Sequence, residues 1–328
     1  MSFALILSLV FGGCCSNVIS FEHMVQGSNI NLGNIVTFTQ FVSVTIIQLP
    51  NAFDFSHFPF RLLPRHIPLK IHLLAVLLFF TSSVANNSVF KFDISVPIHI
   101  IIRCSGTTIT MIIGWAVCKK RYSRLQVQSA IIMTLGAIVA SLYRDKEFTM
   151  DSLQLDTNSV GMTKKSVIGI LVVLFATALM SLLSLLNEWT YGKYGKHWKE
   201  TLFYSHFLAL PLFLAGFTRL RDEFKDLIVS SDTMDIPLVK LPIPTKLFML
   251  VANNVTQFIC IKGVNMLASN TDALTLSVVL LVRKFVSLLL SVYIYKNVLS
   301  VTAYLGTITV FLGAGLYSYG SVKPSLPR

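Results

Sequence analysis

The chain has few charged side chains: Asp, Glu, Lys and Arg make up 13% of its 328 residues, against about a quarter in a soluble domain. Apolar types make up 54%, and the mean hydropathy is +0.69. So few charges cannot cover the surface of an ordinary soluble globular protein, and the composition excludes that class. It also excludes a disordered chain, because such a chain stays solvated only when its hydrophobicity is low.

The sequence also lacks the short motifs of common enzymatic and metal-binding chemistry. It contains no HExxH, no GxSxG and no pair of carboxylates within an apolar segment. We therefore predict no catalytic residue, no metal ligand and no cofactor. The five cysteines form no CxxC or Cys/His cluster, and we expect reduced thiols packed in a membrane. They are Cys14, Cys15, Cys104, Cys118 and Cys260.

Basic residues exceed acidic ones, 27 against 15, which gives a formal net charge of +12. In a soluble protein this excess would suggest a nucleic-acid partner. In so apolar a chain, Lys and Arg in cytosolic loops explain the excess, and we expect no nucleic-acid partner. No positive stretch precedes the first apolar segment, so we expect it to be a retained span and not a cleaved signal peptide.

Ten segments approach or exceed the length of about 20 mostly apolar residues that a helix needs to cross a bilayer. They predict an all-α polytopic membrane protein with ten transmembrane helices, the lipid bilayer as a partner and no soluble domain. The segments are 3–21, 32–49, 70–89, 95–118, 125–142, 167–189, 201–217, 245–267, 271–295 and 300–319. The pairs Gly12-Gly13 and Gly313-x-Gly315 indicate close helix packing.

The loops between these segments predict the topology. An even number of spans places both termini on one side, and the loops of that side are rich in Lys and Arg, as cytosolic loops are. A longer loop after the fifth span suggests two five-helix halves, which an odd number of spans would make inverted repeats. The predicted divisions are 1–142, a lumenal connection at 143–166, a second half at 167–319 and a cytosolic tail at 320–328.

The fourth and ninth predicted spans carry cations away from their ends, and such cations are costly inside a bilayer and by default mark a functional site. Arg103 shares a helical face with His99 in the fourth segment. In the ninth, Arg283 and Lys284 are adjacent near the middle, and Ser287 shares the face of Lys284. Adjacent buried cations suit a phosphate or diphosphate, which Arg binds through two parallel hydrogen bonds and Lys as a point charge.

A structural role for these cations is the alternative. Arg103 would then bond to main-chain carbonyls of a neighbouring helix. The adjacent pair would be neutralised by a carboxylate at Glu22, Asp272 or Glu188. Because intramembrane charges usually line a substrate pathway, we predict that the three cations contact substrate phosphates.

The seventh and eighth segments carry polar groups that suit a nucleobase or a sugar. Amides offer donors and acceptors in a fixed geometry, and an aromatic ring can stack on a base. The candidates are Tyr204 and His206 in the seventh segment and Asn254, Gln257 and Lys262 in the eighth. His99 and Ser287, which lie beside the cations, are predicted to contact the nucleotide or sugar as well. In the alternative interpretation, the tyrosine belongs to an interfacial belt, the amides bond between helices and the lysine reaches an interface.

These segments resemble the nucleotide-sugar transporter family of the drug/metabolite transporter superfamily, in its UDP-N-acetylglucosamine/UDP-xylose branch. The similar stretches are GCCSNV at 13–18, PIHIIIR at 97–103, KKRY at 119–122, YGKH at 194–197, LFYSH at 202–206, TQFICIKG at 256–263 and RKFVSL at 283–288. GDP-mannose relatives have Phe-Tyr-Asn-Asn where this chain has FYSH, and the loss of both Asn argues against guanine recognition. Of their Gly-Ala-Leu-Asn-Lys motif only the lysine matches, at Lys284, with Arg283 in place of Asn.

The resemblance implies a ten-helix inverted-repeat carrier in the Golgi membrane with both termini cytosolic. By alternating access it would import UDP-N-acetylglucosamine into the lumen in exchange for UMP. The endoplasmic reticulum stays an alternative location, and a homodimer stays open.

Three other functions remain to be distinguished from this one. UDP-galactose or UDP-xylose would replace the substrate within the same class. A multispan lumenal glycosyltransferase or acyltransferase would need acidic or His residues at a membrane face, but the acids of 219–246 indicate a solvated, charge-balanced loop. A membrane scaffold or receptor would tolerate replacement of Arg283 and Lys284.

Overall fold

The structure, a computed structural model, describes residues 2–25, 32–54, 61–88, 102–143, 164–213, 216–229, 233–235, 242–295 and 300–322. The described residues are mostly helical. The helices are α1 (Phe3–Ser8), α2 (Cys14–Val25), α3 (Gly33–Gln48), α4 (Leu69–Ser88), α5 (Gly106–Ala116), α6 (Arg124–Leu142), α7 (Lys164–Tyr194), α8 (Trp198–Phe207), α9 (Leu210–Phe213), α10 (Phe217–Val229), α11 (Thr245–Ala268), α12 (Ala273–Tyr295) and α13 (Val301–Val322).

A few short elements complete the described chain. A π-helical turn, Leu9–Gly13, joins α1 to α2, and a 3-10 turn, Leu49–Asn51, follows α3. Two antiparallel strand pairs lie in connections between helices. They are β1 (Phe53–Asp54) with β2 (Arg61–Leu62), and β3 (Thr233–Asp235) with β4 (Pro242–Pro244).

Seven helices in the described residues are long and apolar enough to cross a membrane. They are α1 continued through the π-turn into α2, then α4, α6, α7, α11, α12 and α13. The 16 residues of α3 match the predicted segment 32–49, and α5 is a shorter apolar helix inside the predicted segment 95–118. The helical membrane architecture is therefore present, while the count of ten spans and the inverted repeat stay predictions.

The predicted segment 201–217 is interrupted, because α8 ends at Phe207 and α9 covers only Leu210–Phe213. Pro211 explains the break. Proline cannot donate the main-chain hydrogen bond that would continue α8, but it fits the first turn of a new helix.

The expected solvated loop at 219–246 is wrong for its first part, which forms α10. Leu220 and Leu227 of this helix are buried in an apolar cluster with Met24 of α2, Ile35 of α3 and Leu250 of α11. The alternation of charged residues with apolar ones every three or four positions is the pattern of an amphipathic helix. The charges alone suggested a loop, but their periodicity indicates a helix.

The chain forms two compact units, each containing residues from both predicted halves. Unit 1 comprises Met1–Val76 and Thr190–Asn270, and unit 2 comprises Leu77–Trp189 and Thr271–Arg328. The division into repeated halves at 1–142 and 167–319 stays a prediction, because the two units show which residues pack together and do not test whether one half repeats the structure of the other.

A close helix crossing in unit 1 pairs two of the cysteines. A Cβ atom at Gly13 would lie 2.6 Å from the main-chain nitrogen of Cys260, so only glycine allows this approach of the two backbones. The Cα atoms of Cys14 and Cys260 are 4.5 Å apart, and their sulfurs form a disulfide. The expectation of five reduced thiols is therefore wrong for this pair, and it holds for Cys15, Cys104 and Cys118.

A second close crossing, between α6 and α13, forms the core of unit 2. A Cβ atom at Gly306 would lie 2.5 Å from the main-chain nitrogen of Ala140, and one at Gly313 would lie 2.6 Å from the Met133 side chain. By contrast, Gly12 and Gly315 have no heavy atom within 4 Å of an added Cβ. One glycine of each predicted pair therefore serves close packing.

Candidate functional site

Two of the predicted phosphate-binding residues line one cavity of unit 2. The cavity has a volume of about 310 Å³. Arg103 enters it from a helical turn that precedes α5, and Lys284 enters it from the middle of α12. Hydroxyl and amide groups complete the polar part of its wall: Ser82, Ser83, Asn86, Thr107, Thr110, Thr177, Ser181, Ser184 and Ser277.

The Arg103 and Lys284 side chains are exposed to this cavity. Within the described part of the chain, no carboxylate lies within 4.0 Å of either cation. Glu188, a candidate neutralising group, pairs with Lys120 and accepts a hydrogen bond from the Ala273 N–H. The cavity therefore carries two positive charges and, in these residues, no compensating ion pair. Such a wall attracts a doubly charged anion.

Asp272, the second candidate for neutralising the cation pair, caps the start of α12. Its carboxylate accepts a hydrogen bond of 2.7 Å from the Thr275 N–H. Near the same end of unit 2, burial raises the pKa of Tyr122 to about 12, and the negative charges of Glu188 and Asp272 add to this effect. Both acids therefore form hydrogen bonds at the start of α12, while Lys284 lies in its middle.

A set of hydroxyl groups forms one side of the cavity, where α5, α7 and α12 meet. The Thr110 hydroxyl is 2.9 Å from that of Ser181 and 3.5 Å from that of Ser277. Ser181 donates to the Thr177 carbonyl and Ser277 to the Ala273 carbonyl. A wall of hydroxyls can exchange these local bonds for contacts with a polar ligand.

The residues of α7 and α4 in this wall are absent from the candidates predicted from sequence. The signal for α7 is the placement of Thr177, Ser181 and Ser184 along one face of an otherwise apolar helix. Helical Ser and Thr commonly bond to their own helix, so this signal gains meaning only when the cations of other helices share the cavity.

Two other predicted site residues of α12, Arg283 for phosphate and Ser287 for the nucleotide or sugar, do not line this cavity. Arg283 is half-buried on α12 beside Lys284, and Ser287 is buried one turn later. His99 lies outside the described residues.

Tyr204 lies in unit 1, at a second cavity of about 420 Å³. Its ring stacks on the His72 imidazole at 4.9 Å, and the Arg65 guanidinium carbon lies 6.0 Å from the ring centre. Lys196 and Lys199 line the same cavity. The surroundings of Tyr204 are thus basic and aromatic.

Glu200 organises this cavity of unit 1. Its carboxylate accepts bonds of 3.0 Å from the backbone N–H groups of His66 and Ile67 and lies 3.3 Å from the imidazoles of His66 and His72. Burial raises the pKa of Glu200, but the hydrogen bonds from His66, Ile67 and His72 outweigh it, so the pKa lies below its ordinary value. This carboxylate thereby fixes the chain before α4 to the first turn of α8.

His197 adds a third candidate ligand beside His66 and Glu200, in a group whose ligand atoms lie within 4.8 Å of one another. Both oxygens of Glu200 already accept hydrogen bonds. Three cations, Arg65, Lys196 and Lys199, also line the cavity and oppose a bound cation. We therefore assign no metal to this group.

The remaining predicted contacts for base or sugar lie in unit 1. The His206 Nδ1 atom is 2.8 Å from the Leu202 carbonyl, and its ring packs on Phe41. Asn254 accepts a hydrogen bond from Thr39. Gln257 and Lys262 are half-buried on α11. Asn254 therefore makes the kind of contact between helices that the structural alternative foresees, and the His206 imidazole bonds within its own helix.

Asn253 is the most tightly held amide of α11. It is fully buried, it donates to the Asn17 carbonyl and the Ser20 hydroxyl, and its oxygen accepts from Gln40. These bonds join α2, α3 and α11, so Asn253 has a structural role.

Comparison with known proteins identifies the family. The model of the UAA transporter family matches residues 2–321. The "UDP-N-acetylglucosamine transporter YEA4" of Kluyveromyces lactis is 90% identical over the whole of both chains. The Saccharomyces cerevisiae protein of the same name is 46% identical over 97% of this chain and 94% of its own.

More distant proteins agree with this match. The "UDP-xylose and UDP-N-acetylglucosamine transporter" of Danio rerio is 34% identical over 98% of this chain and 94% of its own. One crystal structure aligns with 96% of both chains at a TM-score of 0.62 and 13% identity, which shows a shared fold. Since the family model covers nearly the whole chain, this protein belongs to the UAA transporter family, whose members are transporters and not enzymes.

Proposed function

We propose that the protein is an alternating-access antiporter that imports UDP-N-acetylglucosamine into the Golgi lumen in exchange for UMP. The names of the 90% and 46% identical relatives support the substrate. The location, with both termini in the cytosol and the endoplasmic reticulum as the alternative, rests on the family resemblance and on the basic loops.

One observation supports the substrate's chemical class most strongly: Arg103 and Lys284 share a cavity in which no described carboxylate pairs with them. A UDP-sugar carries two negative charges on its diphosphate. We assign a bidentate phosphate contact to Arg103 and a point-charge contact to Lys284. Arg283 adds positive charge beside Lys284.

The same charges give a physical reason for exchange. An empty cavity with two cations that no described carboxylate neutralises is costly to close and to carry across the bilayer. UDP-N-acetylglucosamine removes that cost, and so does UMP, whose phosphate carries nearly two charges at neutral pH because its second pKa is about 6. The carrier with either nucleotide bound then reorients its cavity from one side of the membrane to the other faster than the empty carrier does.

The contacts to uracil and to the sugar are assigned together, as one set of candidate residues. Tyr204, His206, Asn254, Gln257 and Lys262 stay candidates from the sequence, together with His99 and Ser287. The hydroxyl wall of Thr110, Ser181 and Ser277 joins them, because it lines the cavity of the proposed phosphate contacts.

UDP-xylose is the second candidate substrate, because a relative at 34% identity carries both sugars in its name. UDP-galactose is a third candidate, from the sequence alone. Competition for uptake by each unlabelled UDP-sugar ranks the three.

The deciding experiment is uptake of labelled UDP-N-acetylglucosamine into liposomes that hold the purified protein, with and without internal UMP. We expect strong stimulation by UMP and its loss in Lys284→Ala. Lys165→Ala is the matched control, because Lys165 is an exposed lysine at the start of α7 and does not line the cavity. Equal uptake without internal nucleotide would refute exchange, and full uptake by Lys284→Ala would refute the phosphate contact.

A further inference from the structure

The amphipathic helix α10 carries two large apolar side chains that the described residues cover only in part. Leu220 and Leu227 are 6% and 0% exposed, whereas Phe224 and Ile228 are each 42% exposed. At 100° per residue, all four lie within one arc of about 100° on the helix surface. One edge of this arc faces the protein, and the other edge, Phe224 with Ile228, forms an exposed strip.

The contacts of α10 place it at one end of several spans. Its buried leucines pack on Met24, the last residue of the candidate span Phe3–Met24, and on Leu250, near the start of the candidate span Thr245–Ala268. Glu223 accepts hydrogen bonds from the Asn34 side chain and the Ile35 N–H, at the start of α3. These ends meet at one boundary between membrane and water.

The charges of α10 are separated around its axis. Arg221 and Lys225, both exposed, lie beside the strip at about 20° and 60° from Ile228 on the wheel. Asp222 and Asp226, also exposed, lie on the far side, beyond these cations. The Arg221 Nε atom is 3.5 Å from the Asp222 carboxylate, an exposed pair that contributes little to stability.

This arrangement fits a bilayer surface better than water. An exposed Phe and Ile one turn apart gain free energy on entering the acyl boundary, and flanking cations reach lipid phosphates at the same depth. Acids on the far side then stay away from the lipid phosphates.

We propose that α10 is an interfacial helix that inserts Phe224 and Ile228 among the lipids and holds lipid phosphates through Arg221 and Lys225. The occupant of the exposed strip is the bilayer of the membrane that the protein spans. This proposal is independent of the transported substrate.

Fluorescence in the intact, reconstituted protein tests the position of α10. Phe224→Trp places a probe on the strip with little change of shape, and Asp226→Trp is the matched control on the far side of the same helix. The signal is the difference from the wild-type protein, which contributes its own three tryptophans. We expect lipids brominated near the headgroup end of their acyl chains to quench the Phe224→Trp probe and not the Asp226→Trp probe.

Two results would overturn the proposal. Equal, weak quenching of both probes would mean that the strip faces water. A blue-shifted but unquenched Phe224→Trp signal would mean that protein, such as a second copy of the chain, covers it.

A second measurement tests the cations. Vesicles with phosphatidylserine should quench the Phe224→Trp probe more than vesicles of phosphatidylcholine alone. Adding Arg221→Gln and Lys225→Gln should remove this difference, and a difference that persists in that variant would overturn the phosphate contacts.

Discussion

The Arg103 guanidinium and the Lys284 ammonium line the same cavity of unit 2 although they lie far apart in the chain. Neither has an ion-pair partner among the described residues. Two cations that share a cavity without an acid beside them repel each other, and a bound anion or water in the cavity offsets that repulsion. Their shared position is therefore the feature from which the substrate site is best tested.

The first prediction concerns the geometry of the Arg103 contact. Arg103→Lys keeps the charge but loses the bidentate fork, and Arg103→Ala loses both. A hydrogen bond to a charged group contributes about 1.5–3 kcal/mol, so we expect Arg103→Ala to raise the KM for UDP-N-acetylglucosamine about tenfold to a hundredfold. Arg103→Lys should restore part of this loss.

Initial rates of exchange in proteoliposomes loaded with UMP measure the effect. Arg124→Ala is a suitable control, because Arg124 is exposed at the start of α6 and does not line the cavity. Unchanged KM in Arg103→Ala would remove this residue from the site, whatever the result for Lys284.

The sequence predicted the seven long apolar helices of the described residues well, because crossing a bilayer requires a long apolar segment, which is visible residue by residue. The predicted segment 245–267 corresponds to α11, and 300–319 corresponds to α13. Arg103 and Lys284 were equally visible, since a cation inside such a segment stands out against its neighbours.

What the sequence concealed depends on contacts between distant segments. The pairing of Cys14 with Cys260 requires the crossing at Gly13, which no local pattern reveals. Ser181 becomes a candidate only because α7 faces the cavity of Lys284. The break after α8 is detectable from Pro211, although the apolar composition of the segment favours one continuous span. The helix α10 is detectable from the periodicity of its charges, although their number favours a loop.

The second prediction concerns the Glu200 carboxylate, whose pKa lies below its ordinary value of 4.5 in the folded protein. A lowered folded pKa means that the ionised group stabilises the fold above the unfolded pKa. This stabilisation is lost as pH falls through the folded value. We expect the melting temperature of the reconstituted protein to decrease as the pH is lowered from 4.5.

Glu200→Gln removes the charge while keeping the shape. At neutral pH it should cost about 1–3 kcal/mol, because the His66 and Ile67 N–H groups lose a charged acceptor. The difference from the wild-type protein should narrow as pH falls below 4.5. A difference that stays constant with pH would contradict the role of the ionised carboxylate, and Glu223→Gln serves as a second acid for comparison.

The third prediction concerns the disulfide between Cys14 and Cys260, which joins α2 to α11 across most of the chain. Removing a bridge of this kind typically costs about 2–4 kcal/mol. We expect Cys14→Ser to lower the melting temperature and a membrane-permeant reductant to lower that of the wild-type protein equally. Cys118→Ser, an exposed free thiol, should have no effect.

Mass spectrometry of the alkylated protein checks the pairing directly. Without reductant, Cys15, Cys104 and Cys118 should take up the alkylating reagent after unfolding, and Cys14 and Cys260 should not. Alkylation of all five without reductant would show that the bridge is not formed.

The fourth prediction compares two glycines on one helix, α13. A Cβ atom at Gly306 would lie 2.5 Å from the Ala140 nitrogen and 2.8 Å from the Gly136 oxygen, whereas Gly315 has no heavy atom within 4 Å. Gly306→Ala should therefore force α6 and α13 apart, at a cost of about 1–3 kcal/mol. Gly315→Ala meets no neighbour and should be neutral or stabilising by up to about 1 kcal/mol, since alanine is the better helix former. Melting temperatures of the two variants in the same nanodiscs make the comparison, and an equal loss in both would contradict the role of the α6–α13 contact, because only Gly306 lies against α6.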